Sequence, residues 1–200
     1  MSFETHRTLF NVGGIRAVEL QHADVPQLQR FFEANPGYFV SVSGEPPGKD
    51  EAQEELLSEI PTDWPFTKKW AIGFVDATGS LTAMATVISD MLAPGVWNVG
   101  FFILETREHG QGVAQGLYEG LQTWTCGLGA QWLRLGVVAG NARAERFWER
   151  VGFIEVRRRH DVPMKSAVVT MRVMVKAVGS MGLAEYLARV GRDRSDATVG

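Results

Sequence analysis

The fold turns on Val99-Gly-Phe-Phe-Ile-Leu104 followed by Glu105-Thr-Arg-Glu-His-Gly-Gln-Gly-Val113. The first six residues are an apolar run of strand length, rich in aromatic and β-branched side chains, and predict a buried strand. A polar turn breaks it. Beyond the turn, Val113, Leu117, Leu121, Trp124 and Leu128 recur every three or four residues, the spacing of one helix face. Strand, glycine turn and helix together present unpaired N–H groups and the positive end of a helix dipole to an anion. Gly110 and Gly112 keep side chains out of the way of such a ligand. The same pattern also serves plain packing, so on its own it leaves both readings open.

A second block lies about thirty residues on, Asn141-Ala-Arg-Ala144-Glu-Arg-Phe147-Trp148-Glu-Arg-Val-Gly152-Phe153. His109-Gly-Gln-Gly-Val-Ala114 resembles the coenzyme A pyrophosphate loop of the GNAT acyltransferases, written Gln/Arg-x-x-Gly-x-Gly/Ala. The later block is similar to the family's second signature. The two occur in order, with a strand (Gln131 to Val138) between them, and the resemblance is firm from Lys69 to Arg159. His109 stands where the family has Arg or Gln; Arg107 would also fit the pattern, but the helix register favours His109. Trp148 occupies the position of a Tyr thought to protonate the leaving thiolate, and an indole offers no proton suited to that.

Composition sets wide bounds. Two hundred residues suit one domain with a full core. Apolar content of 45% and charge of 22% are ordinary for a globular chain. A net charge of −3 gives no reason to expect nucleic acid or an anionic membrane as partner. The single cysteine, Cys126, can form no internal disulfide, which fits a cytoplasmic setting. No signal-peptide core or membrane span is visible. The four histidines lack ligand spacing, so no metal is expected.

Taken in order, the chain predicts a strand at Ile15 to Leu20 and then a helix capped by Asp24. That helix buries Val25, Leu28, Phe31 and Phe32 and stops at Asn35-Pro36-Gly37. A loop follows from Tyr38 to Lys49, then a helix from Asp50 to Ile60. Strands at Trp70 to Val75, Leu81 to Asp90 and Val96 to Leu104 form a meander. The helix Gln111 to Gly127, a strand at Leu133 to Val137 and the helix Asn141 to Val151 come next. Phe153 to Arg159 and Ala167 to Val178 close the sheet around a turn at Asp161 to Met164. A helix from Ser180 to Val190 and a polar, frayed segment from Gly191 end the chain. The order β-αα-βββ-α-β-α-ββ gives an α/β fold, a GNAT-type mixed, mostly antiparallel sheet with helices on both faces. The expected division is an acyltransferase domain over 1–178 and a C-terminal helix and tail over 179–200.

The resemblance implies acyl transfer from acetyl-CoA to an amine of a small molecule or peptide. Coenzyme A would lie between the strands ending at Leu104 and Val138. The backbone of Phe102, Ile103 and Leu104 would align the pantetheine, and His109, Gly110, Gln111, Gly112, Val113 and Ala114 would hold the pyrophosphate. Asn141, Ala144, Phe147 and Trp148 would border the arm. Asn141 also reads as a helix cap, and Phe147 and Trp148 as core. The Leu104 N–H would stabilise the oxyanion. A lysine-type amine has a pKa near ~10.4, so freeing it at pH 7 costs about 4.6 kcal/mol and calls for a base. Asp90 and Glu105 are the candidates, each reading equally as a surface carboxylate. Tyr38, Glu45 and Trp97, with Trp64, would line the acceptor site, though Tyr38 also reads as a cap on the core. Arg157-Arg-Arg-His160 reads as solvated or as reaching an adenosine phosphate. A non-catalytic acyl-CoA sensor is the rival reading, and monomer and homodimer both stay open.

Overall fold

A computed structural model describes residues 3–197. Its eight strands form one sheet in the order β1-β2-β3-β4-β5-β6-β8-β7. The chain starts with β1 (Thr8–Val12) and β2 (Ile15–Glu19), paired antiparallel about Gly13 and Gly14, both at positive φ. β1 was not expected, because its burial pattern alternates only weakly at the sheet edge. Three helices follow: α1 (Val25–Ala34), α2 (Pro36–Ser43) and α3 (Glu51–Leu57). The Asp24 carboxylate does not cap α1; it turns back to the Gln21 N–H at 2.7 Å and to His6.

The loop expected from Tyr38 is corrected by α2. Pro36 sits in the first turn and Gly44, at φ +85°, ends the helix. The apolar run Tyr38-Phe-Val has no helical stripe, and its helix is held by packing of Phe39, which is buried in the core of that face.

The meander is as the spacing predicts: β3 (Lys68–Val75), β4 (Leu81–Ser89) and β5 (Val96–Leu104), all antiparallel. Every residue of β4 is buried, since both faces of the central sheet are covered. α4 (Val113–Gly127) packs Leu117, Tyr118 and Leu121 on one face, and each buried leucine is worth about 1.5–3 kcal/mol. Leu128, read as part of that stripe, lies past the helix end and is exposed. β6 (Trp132–Val138) and α5 (Ala142–Arg150) complete the second unit.

β7 (Ile154–Met164) and β8 (Ala167–Ala177) form a longer hairpin than the sequence suggests. The turn expected at Asp161 to Met164 is a bulge within β7, where the register shifts between Arg159 and Val162. The chain reverses instead at Lys165 and Ser166, with Lys165 at positive φ. Lys165 pairs with Glu51, so the hairpin tip reaches α3.

α6 (Leu183–Arg189) covers the far end of the sheet, with Tyr186 packed on Trp132. Over 191–197 the polar segment beyond it is tied down rather than free, and the rest of the expected tail, 198–200, lies outside the described residues. Asp193 is 1% exposed and holds Arg134 of β6 in a bidentate pair at 2.7 and 3.1 Å. Arg134 also donates to Asn98 at 3.0 Å. Among the described residues, no helix is long and apolar enough to cross a membrane.

Candidate active site

β5 and β6 are the one parallel pair in the sheet, and their partnership is short. Val96 to Val99 face Trp132 to Leu135, and then the ladder ends. The cause is in β5. Across the β4 ladder Val87 faces Val99 and Thr86 faces Phe101, so Gly100 is the extra residue of a bulge. β5 stays on β4 after the bulge and leaves β6, opening a wedge between two strand ends.

The wedge has unpaired donors. Glu105 N–H bonds Thr82 of β4 at 2.8 Å. Alternation along an antiparallel ladder therefore turns the N–H groups of Phe102 and Leu104 away from β4, toward the wedge, and that of Ile103 toward β4. The Ile103 side chain is buried on the α1–α3 face. Ile103 thus presents neither backbone nor side chain to the wedge.

At the mouth of the wedge, Gly110 and Gly112 stand at φ +83° and +81°. A Cβ on either would meet open space, and Gly112 is the N-cap of α4 with no side chain to cap it. The first N–H groups of α4 thus face a cavity of about 610 Å³. Ala114 and Gln115 line it from α4, and Arg143, Ala144, Arg146, Phe147 and Arg150 from α5. Phe147 stacks on Phe102 at 6.0 Å. Val113 packs on the core, and the Gln111 amide donates to the Arg107 carbonyl at 2.9 Å. His109 turns its ring back on the Leu104 carbonyl, 3.1 Å away. Burial and the nearby Arg143 hold the His109 pKa below its ordinary value, against the pull of that carbonyl.

Asn141 caps α5 through Ala144 N–H at 3.2 Å and reaches Ser41 of α2 at 3.3 Å, so it bridges the two sides. Trp148 is 7% exposed and packs edge-on against Tyr118 and Phe153, with one edge on the cavity. A second cavity of about 140 Å³ crosses the wedge to the other face of the sheet. Tyr38, Gly100, Phe101, Gly136, Met164 and Met171 line it there. A Cβ on Gly136 would lie 2.9 Å from the Met171 sulfur, so the thioether lies flat on the strand.

Residues 41–153 match the family model described as the acetyltransferase (GNAT) family. The chain belongs to that family. No curated protein sequence matches the acetyltransferase. Among solved structures, an acetyltransferase from Thermus thermophilus superposes with a TM-score of 0.65 at 18% identity, over 83% of this chain and 98% of that one. A spermidine N-acetyltransferase from Vibrio cholerae, in complex with CoA and spermine, gives 0.64 at 17%, over 82% and 95%. The ribosomal-protein-S18-alanine N-acetyltransferase from Escherichia coli gives 0.59 at 17%, over 84% and 96%.

Several expected site residues of the acetyltransferase lie away from the wedge. Asp90 ends β4, and β4 runs antiparallel to β5, so Asp90 lies at the opposite end of the sheet from Leu104. Its carboxylate is taken by Thr67 and the Gly95 N–H, both at 2.8 Å, in a turn at φ +52°. Glu105 pairs with Arg107 at 2.9 Å and faces neither cavity. Glu45 is half-buried after α2 and also lines neither. Trp97 is 3% exposed, stacked on Trp70 in the α4-side core. Trp64 lies under Arg192. Arg157 bonds the Arg192 and Ala197 carbonyls, and Arg158 pairs with Glu155. Among the described residues, no group of three or more His, Cys, Asp or Glu could hold a metal ion.

A carboxylate outside those expected lies close to the Gly100 bulge, although it lines neither cavity. Glu55 of α3 accepts a hydrogen bond of 2.5 Å from Thr86 Oγ1, beside the Gly100 bulge. Burial raises its pKa and Glu51 adds to the rise, while the Thr86 hydroxyl and Lys69 oppose them. The Lys69 ammonium is fixed by the Glu55 and Ser58 carbonyls at 2.7 and 3.1 Å. A carboxylate whose pKa is raised by burial holds a proton more readily than a solvated one. Its signal in the sequence was slight: Glu51, Glu54, Glu55 and Glu59 share one helical segment, and only packing selects among them. Arg143, Arg146 and Arg150 recur in the sequence at the spacing of one helix face, and all three line the large cavity.

Proposed function

We propose that this acetyltransferase moves an acetyl group from acetyl-CoA to a primary amine of a small molecule or peptide by direct attack on the thioester. The parting of β5 from β6 at Gly100, with a glycine-opened helix at one end and Glu55 on the opposite face, carries this reading. Gly110, Gly112 and the N-terminus of α4 would hold the pyrophosphate, with Arg143 and Arg146 as counter-charges. The Leu104 N–H, turned into the wedge, suits a pantetheine amide. Bound acetyl-CoA supplies an activated acyl carbon with a thiol leaving group.

The chain's own residues then handle position and protons. Glu55 takes the proton that the attacking nitrogen must lose. With a lysine-type amine that step offsets part of the ~4.6 kcal/mol needed to expose a free base at pH 7, and an α-amino group needs only about 1 kcal/mol. Aromatic and methionine side chains around the narrow cavity exclude water from the thioester. The substrate reading is therefore an amine with an apolar substituent next to the nitrogen.

Trp148, which cannot donate a proton, favours a second reading: a protein that binds acyl-CoA without consuming it. Thiol release from acetyl-CoA over a panel of amines, beside a thermal shift with coenzyme A, separates the two. Stabilisation by coenzyme A with turnover on an amine is expected. Stabilisation without turnover on a broad panel would establish the sensor. No stabilisation at all would remove the coenzyme A assignment.

A further inference from the structure

The wall opposite Trp148 carries a hydroxyl. Tyr38 of α2 is packed edge-on against Phe39 at 5.3 Å and tilted on Phe101 at 4.7 Å, so its ring direction is set by core contacts. Tyr38 lines both the large cavity and the narrow one, standing where they meet. Its hydroxyl lies close to the Phe102 backbone, whose N–H is turned into the wedge. A phenol hydroxyl donates one hydrogen, and at the junction of the two cavities a ligand oxygen can take it.

We propose that the Tyr38 hydroxyl, at the junction of the two cavities, is the hydrogen-bond donor that the thioester carbonyl meets in the wedge. This rests on the acetyl transfer proposed above. The amine nitrogen bonds to the carbonyl carbon, and the C=O π pair moves to oxygen. Tyr38 donates to that oxyanion without losing its proton, while Glu55 takes the amine proton. Collapse restores the C=O bond and breaks the C–S bond; the proton on Glu55 passes to the thiolate, leaving amide, thiol and the starting carboxylate. A side-chain donor from α2 thus takes the place of a backbone donor of β5. Burial first, and the Glu55 charge second, push the phenol above its ordinary range, so it stays a donor at any working pH.

The test is Tyr38→Phe in the full chain, with three readouts: acetyl-CoA affinity by calorimetry without amine, the infrared C=O band of bound carbonyl-¹³C acetyl-CoA, and kcat. Expected are an affinity within about threefold of the parent, a C=O band that moves back toward its position in water, and a kcat lower by about 10²- to 10³-fold, the loss typical of one oxyanion donor. Replacing Tyr38 by 3-fluorotyrosine keeps the ring and strengthens the donor, and is expected to move the band the other way. A band that ignores both replacements overturns the proposal, as does a kcat that holds or rises in Tyr38→Phe, which would make Tyr38 a plug over the Phe102 N–H. If the parent protein binds no acetyl-CoA, the acetyl-transfer reading itself fails.

Discussion

The two sides of the wedge are built differently. On the α4 side, strand end, glycine turn and helix start follow one another from Val99 to Val113, and what they present is backbone: N–H groups and a helix end. On the α1–α3 side, Tyr38, Met164 and Met171 come from α2, β7 and β8 and line the narrow cavity with side chains, while Glu55 of α3 bonds Thr86 of β4 beside the Gly100 bulge. A backbone site is specified by what may not be there, hence by glycines at fixed spacing. A side-chain site is specified by which face of each element turns inward, and tertiary packing sets that.

Four experiments test this contrast, and the first should have the largest effect. Glu55→Gln is expected to lower kcat/KM for an amine of high pKa by about 10²- to 10⁴-fold, the usual worth of a general base, with coenzyme A affinity unchanged. The same variant should be more stable near neutral pH. The folded protein raises the Glu55 pKa, so the stability Glu55 contributes is full below its unfolded value and lost as pH rises through the folded one. Glutamine copies the protonated form, so Tm should exceed the parent's at pH 7 and match it in acid. A variant with full activity would return the base to an unidentified group.

Asp193→Ala probes a side-chain pair outside the wedge. Burial alone would raise the Asp193 pKa, but the bonded Arg134 guanidinium prevails and holds it low. Removing the carboxylate leaves Arg134 buried without its partner, at a cost of about 3–5 kcal/mol, read by urea unfolding. In the parent, the stability Asp193 provides is present above its unfolded pKa and lost as pH falls through the depressed folded one.

Gly112→Val tests the backbone side. A β-branched residue at φ +81° is strained by about 1–3 kcal/mol. Coenzyme A affinity by calorimetry should fall at least tenfold, with Glu55-dependent pH behaviour retained at saturation. Unaltered affinity would reduce the turn to packing.

The smallest effect belongs to His109. In the free protein its pKa is depressed by burial and Arg143. A pyrophosphate would draw a proton onto it, so coenzyme A affinity should weaken as pH rises through its range, by up to about fivefold for a partly exposed charge contact. His109→Gln should flatten that profile in a titration from pH 5 to 8.

The resemblance of the two signature blocks, together with hydrophobic period, determined the family, the meander, α4, β6 and α5, because each of those segments carries its own apolar face or turn residue. Asp90 and Glu105 were read from strand ends alone, and the antiparallel direction of β4 sends Asp90 away from the wedge. Trp97 was read as a rim aromatic and is core, since an aromatic in a buried strand carries no mark of which side is open. β1, α2 and the late turn at Lys165 were missed because short elements with weak period are held by neighbours. The glycine-opened start of α4 is legible in the residues alone, as φ > 0 at Gly110 and Gly112 is a local property. That Tyr38 and Met171 line one cavity with Gly100 and Gly136, and that Thr86 holds Glu55 beside the bulge, is set by packing, because it depends on helix faces and sheet order brought together from residues more than a hundred positions apart.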